Sequence, residues 1–226
     1  MILRVEYYVG PELKFLSNLD MMRLMERALR RAQIPYALSE GFNPHLLLSM
    51  GTVLPVGLWG QREYFDLKLK EDMDSRDFIT SVNRVLPSAM AVNDARPIDL
   101  NTPALMKTIN CASYVYHIKH SAAGLDKLSE HLMNQTSLMA ASRGKKKDTI
   151  KDLRPGIYKI FVKPARDFAI MEIWAAAGDP VNIRYDELAE MLAQNGIEKR
   201  DIIDMYRSGS YIRQDELFYS PLDKVR

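Results

Sequence analysis

One histidine, a stripe of arginines and a lysine run are the residues in this chain whose types and spacing suggest chemistry. His45 lies in "SEGFNPHLLLSMG", Ser39 to Gly51, just after a Gly-Phe-Asn-Pro corner and just before an apolar run. An imidazole titrates near neutral pH, so His45 is the one candidate general base, provided another group orients it. Asn43-Pro44 is also strong turn chemistry, in which case His45 only satisfies its own backbone. In a third reading Phe42 and Asn43 form a docking corner, with Phe42 as an apolar anchor.

Arg23, Arg27, Arg30 and Arg31 fall on one arc of a helix at 100° per residue, with Asp20 beside them and Glu26 at the edge. Guanidinium forks suit phosphate and RNA backbones. The plainer reading is a solvated face with ion pairs to Glu40, Glu63 or Asp66. A second basic cluster, "RGKKKDTIK" at 143–151, holds five basic residues and one acid; Arg143, Lys145, Lys146 and Lys147 are its candidate nucleic-acid contacts. On a later strand Lys159, Phe161 and Lys163 share a face that could stack a base. The expected arrangement there is a buried Phe flanked by snorkelling lysines.

Other chemistry is missing from the sequence. It has no GxxxxGK[ST], HExxH, GxSxG or paired CxxC. His117 and His120 point to opposite faces of a strand and make a poor metal pair. Cys111 is the only cysteine, which excludes an internal disulfide, a Cys-rich zinc site and a multi-cysteine iron–sulfur cluster. No cofactor is expected, and the balance is against an enzyme. Net charge is +2, so any basic surface is local: the first hundred residues carry 12 basic and 13 acidic side chains, the rest 19 and 16. No 18-residue apolar run exists, so no membrane partner is expected. The start "MILRVEYYVG" reads as a strand rather than a signal peptide, and the expected compartment is the cytoplasm.

Regular elements must position these groups. Alternation over residues 2–9 predicts a strand with Leu3, Val5, Tyr7 and Val9 inward and Arg4 and Glu6 outward. Ser17 with Asp20 resembles a capping box for the arginine helix, whose apolar face runs through Leu19, Met22, Leu24, Met25, Ala28, Leu29 and Ala32. "LLLSM" and "EYFDLKLK" predict strands, Asp74 or Ser75 a helix start, and "MAVNDARPI" a closing strand. This is the strand-helix-strand-strand-helix-strand order of a ferredoxin-like unit. The second half repeats it through "ASYVYHIK", "LDKLSEHLM", a weak strand near "SLMAAS", the hairpin "IYKIFVK"/"FAIMEIWA", "YDELAEMLAQNG" and "DIIDMYR". The expected fold is therefore α+β, two tandem ferredoxin-like (βαββαβ) sandwiches: residues 1–98, a linker at 99–108, and 109–226 with the basic loop.

"FLSNLDMMRLMERALRRAQIPYALSEGFNPH", then "LPVG" and "EYFDLKL", resembles a bacterial family of unknown function described as radical-SAM-associated. "DLRP", Asp152 to Pro155, matches a short element of the same family, and the resemblance covers most of the chain. Two positions depart from its pattern: Asn18 stands where His is usual, and Leu46 where Pro is usual. The resemblance implies association, physical or genomic, with a cobalamin-binding radical-SAM protein, and gene neighbours that include ribosomal proteins and an E/G-type ribonuclease. It implies no activity and no catalytic residue.

The expected function is a non-catalytic RNA-binding or adaptor module for an RNA- or ribosome-related radical-SAM enzyme. Its contacts would come from Ser17, Asp20, Arg23, Arg27, Arg30, Arg31, Phe42, Asn43, His45, the basic loop and Arg154. One alternative is an RNA endonuclease or RNA-modifying enzyme using His45. The other is a protein-interaction subunit alone.

Overall fold

The alternation in the first ten residues is realised as strand β1, Ile2–Val9, with Leu3, Val5, Tyr7 and Val9 all buried. The molecule is seen in a computed structural model that describes residues 1–142 and 149–223. It is an α+β protein in two units: Met1–Ile109 with Gly209–Arg226, and Asn110–Ser208.

In the first unit, Ser17 caps helix α1, Asn18–Arg31, through a reciprocal capping box with Asp20. Strand β2, Leu48–Met50, and strand β3, Trp59–Lys68, follow. Asp74 caps helix α2, Ser75–Asn83, by accepting from the amides of Arg76 and Asp77, and strand β4, Met90–Ile98, comes next. The order is β4-β1-β3, with β2 also on β3; β1 runs antiparallel to both neighbours, as does β2 to β3. The helix-side core holds Leu3, Val5, Met25, Leu29, Phe65, Leu67, Phe78 and Val82. On α1, Met21 joins this core, whereas Leu19 is exposed. The buried arc thus takes in Met21 and leaves out Leu19, while the rest of the expected face around Met25, Ala28 and Leu29 stays inward.

Arg4 is not solvated as the alternation predicts. It is 1% exposed. Helix α3, Leu105–Thr108, lies in the span expected to be a linker, and its Leu105 packs with Tyr64, Ile109 and Leu222 in a second small core. Residues 99–108 are therefore structural parts of the first unit. The expected 109–226 block also differs from the observed division, because the chain from Gly209 onward groups with the first unit.

In the second unit, strand β5, Cys111–Ile118, is followed by helix α4, Ala122–Asn134, which Ser121 caps. The weak strand near "SLMAAS" forms as β6, Met139–Ala141, but it pairs only with β7, Ile150–Asp152, in a separate two-stranded sheet. Strands β8, Ile157–Pro164, and β9, Ala169–Ala176, make the expected hairpin, with α4 packed against both. Helix α5, Tyr185–Gln194, ends at Asn195-Gly196, and Gly196 takes φ +92°, which suits glycine. Strand β10, Ile202–Gln214, follows, and the order is β10-β5-β9-β8.

β10 spans Ile202–Gln214, well beyond the expected "DIIDMYR". Ser208, Gly209 and Ser210 interrupt the apolar pattern there, yet all three are buried. Ser208 bonds the Ser113 hydroxyl and donates to Glu172 at 2.9 Å; Ser210 meets the Thr52 hydroxyl at 3.0 Å. Small hydroxyls here replace apolar packing, so hydrophobic periodicity cannot see the strand. A short strand β11, Leu217–Tyr219, pairs with the end of β10.

Candidate functional site

The Gly41–His45 corner is closed by the chain itself. Leu38 bridges Leu46, and the Ser39 amide donates to the His45 carbonyl at 2.8 Å. The Ser39 hydroxyl accepts from the His45 amide at 3.1 Å and meets ring Nδ1 at 2.8 Å. Gly41 takes φ +118°, a region that strains other residues. The histidine is therefore oriented by a hydroxyl, and its Nε2 is the ring nitrogen left over. Phe42, at the tip, is fully exposed.

His45 borders an open cleft of about 360 Å³ in the first unit, with Ser49, Asp66, Lys68 and Thr102 as its other polar neighbours. No residue of α1 lines it. Arg27 and Arg31 instead border a different cleft, with Val85, Leu86 and Pro87. The lining residues of the two clefts do not overlap, so His45 shares neither cleft with the arginine helix.

On α1 the four arginines are all exposed, and none makes an ion pair among the described residues. Glu63, an expected partner, is buried, and Asp66 is held by Arg4. Ser17 and Asp20 are occupied in the helix cap, with Ser17 Oγ donating to the Asp20 carboxylate at 2.6 Å. That bond, then the Ser17 amide, and more weakly Arg23 and Arg27, hold the Asp20 carboxyl below its usual range against a small opposing effect of burial.

"DLRP" proves to be a clamp. The Asp152 carboxylate accepts from the Leu138 amide at 2.7 Å and the Arg154 amide at 3.0 Å. Arg154 donates to the carbonyls of Met133 at 2.9 Å and Ile157 at 2.9 Å. Partial desolvation pushes the Asp152 carboxyl up, but those two amides, with Ser137 and Arg154, outweigh it and hold it low. Arg154 therefore has a structural role, since both terminal nitrogens serve main-chain carbonyls.

Of the basic loop, Arg143, Lys145, Lys146 and Lys147 lie outside the described residues. Lys151 pairs with the buried Glu187 at 2.5 Å and is also structural. On β8, Phe161 is 47% exposed, against the expectation that it is buried. It is an edge-strand residue, paired only with β9 across from Glu172.

Residues 3–185 match the model of a family described as "Uncharacterized protein conserved in bacteria (DUF2344)". The chain belongs to this family. No curated protein matches it. Among solved structures, a chain of "Crystal Structure of a Cbf5-Nop10-Gar1 Complex" is similar over 95% of this chain and 50% of that one, at 12% identity and a TM-score of 0.48. This chain thus spans about half the length of that one. Among the described residues of this family member, no helix is long and apolar enough to cross a membrane.

Sequence reasoning did not find the surroundings of three polar groups. Arg4 donates to Asp66 at 2.8 and 3.0 Å, to the Pro103 carbonyl at 3.1 Å and to the Pro221 carbonyl at 3.4 Å. Lys68 lines the His45 cleft. In the second unit His117 stacks on Phe168 at 4.9 Å and meets Tyr206 edge-on at 5.7 Å. Strand alternation puts Arg4 and Lys68 on one face of adjoining strands, which was the available signal. For His117 the two partners come from the turn before β9 and from β10, and no local pattern joins them.

Proposed function

We propose that this DUF2344 protein is a non-catalytic RNA-binding module, built from two ferredoxin-like units. The unit reading rests on the strand orders β4-β1-β3, with β2 on β3, and β10-β5-β9-β8. The binding reading rests on one observation: Arg23, Arg27, Arg30 and Arg31 stand exposed on α1 and without ion pairs among the described residues. Structural arginines in this molecule behave otherwise, since Arg4 and Arg154 serve carboxylate and carbonyl oxygens. Four unpaired guanidinium groups within about two and a half helical turns suit neighbouring phosphates of a strand. Exposed Phe161 on β8, with Lys159 and Lys163 on its face, supports the same reading.

The test is filter binding with total RNA at several salt concentrations. Changing Arg23, Arg27 and Arg30 to Ala should weaken binding at least about tenfold and reduce the slope of log affinity against log salt by about 2, at roughly 0.7 per phosphate contact. Wild-type binding no tighter than that of a neutral control protein removes the reading, as does an unchanged triple variant.

Phe42 favours a second reading. A fully exposed aromatic ring at the tip of a stiff turn suits a protein partner, and the resemblance to radical-SAM-associated proteins suggests a radical-SAM protein for that role. Co-purification that disappears in Phe42→Ala and is insensitive to ribonuclease supports it; co-purification unaffected by Phe42→Ala does not.

A further inference from the structure

The cleft beside His45 has a composition that the RNA reading does not use. Its floor is apolar, formed by Ile2, Leu46, Leu47, Leu48, Ile98 and Ala104. Its volume of about 360 Å³ lies inside the range of small-molecule sites, about 300–1,000 Å³. The polar groups are few: His45, Ser49, Asp66, Lys68 and Thr102.

The charge at that rim has a definite sign. Asp66 is the only carboxylate among the lining residues, and both its oxygens are held by the Arg4 guanidinium at 2.8 and 3.0 Å. Its negative charge is neutralised in place. Lys68 is exposed and makes no ion pair among the described residues. The imidazole of His45 keeps Nε2 for a ligand, since Nδ1 is held by Ser39. The site therefore offers one free ammonium, one ring nitrogen and two hydroxyls above an apolar floor.

We infer that this cleft binds a small amphipathic anion: an apolar chain or ring bearing a single carboxylate or phosphate. The anionic head meets Lys68 and His45, with Ser49 or Thr102 donating to its oxygens, and the apolar body covers the floor. A neutral apolar molecule would leave Lys68 unused. A cation would face Lys68 with no free carboxylate in compensation.

The site is separate from the arginine stripe, and RNA plays no part in its test. Octanoate, octyl phosphate, octylammonium and inorganic phosphate are titrated into the full chain, followed by calorimetry and by the carbon-bound proton resonances of His45. Octanoate or octyl phosphate should saturate with a Kd below about 1 mM and shift the His45 resonances. Octylammonium and inorganic phosphate should bind at least about tenfold more weakly, a difference of about 1.4 kcal/mol or more. The tighter of the two anions identifies the head group. Lys68→Glu, at an exposed position that the fold does not need, should weaken the anion at least about tenfold while leaving the circular dichroism spectrum unchanged. Equal binding of octylammonium, equal binding of inorganic phosphate, or an unchanged Lys68→Glu affinity overturns the assignment. So does saturation without movement of the His45 resonances.

Discussion

Arg4 in the first unit and Arg154 in the second both fasten main-chain carbonyls, but over different distances along the chain. Arg4 joins Asp66, Pro103 and Pro221, which are 62, 99 and 217 residues away. Arg154 joins Ile157 and Met133, 3 and 21 residues away, while its neighbour Asp152 takes the Leu138 amide, 14 away. The first clamp closes long loops and pins the segment before α3 and the C-terminal tail. The second finishes a local turn around the end of α4. Both use terminal guanidinium nitrogens on main-chain oxygens, so the contrast lies in how much chain entropy depends on a single side chain.

Removing each clamp tests that contrast, and Arg4→Ala should have the largest effect. It leaves Asp66 mostly buried without its counter-charge, and the expected cost is about 3–5 kcal/mol in urea unfolding. Amides of α3 and of residues 217–223 should lose hydrogen-exchange protection first. The double change Arg4→Met with Asp66→Leu should recover much of the loss, because a buried pair replaced as a whole is often nearly neutral. Arg154→Ala should cost less, about 1–3 kcal/mol, through the two carbonyls it strands. An Arg154 effect equal to that of Arg4 breaks the comparison.

Acid sharpens it further. The Asp152 carboxyl is held below its ordinary value of 3.8, so the native state favours its ionised form. Its contribution to stability is complete above pH 3.8 and is lost as pH falls through the lower native value. Acid unfolding of Asp152→Asn and of the wild type should therefore converge below that pH. A gap that stays constant to lower pH removes the carboxylate from the clamp. The smallest effects are expected at two helix caps, one in each unit. Asp74→Ala and Ser121→Ala should each cost about 1 kcal/mol in thermal or urea unfolding. Similar costs at both show that ordinary local interactions are matched between the units. A clear difference between the two caps means the asymmetry is general and not a property of the clamps.

The same distinction decides what could be read in the sequence. The α1 cap was legible because Ser17 and Asp20 lie three residues apart, and the α2 cap because Asp74 is a cap-type residue just before a helical pattern. Strands β1, β3, β5, β8 and β9 showed themselves by alternation or β-branched and aromatic runs. "DLRP" was noticed only through the family resemblance, because its clamp reaches Leu138 and Met133, 14 and 21 positions away, which no local pattern records. Arg4 was read as a solvated strand residue because its partners lie up to 217 positions away. β10 was cut short because Ser208-Gly209-Ser210 is buried through hydroxyl contacts, which no hydrophobic period records. The tight corner at His45 was anticipated from Gly41 and Asn43-Pro44. Its neighbours were not, since Lys68, Ser49 and Thr102 reach the cleft from three other segments.

The division of β10 has a consequence for synthesis. Every residue of the second unit, Asn110–Ser208, leaves the ribosome before any residue from Gly209 onward. The unit that starts the chain is therefore the last to be completed. Until Pro221 emerges, the Arg4 guanidinium lacks one of its carbonyls, and the nascent first unit waits with that face unfinished while the later one already has all its strands.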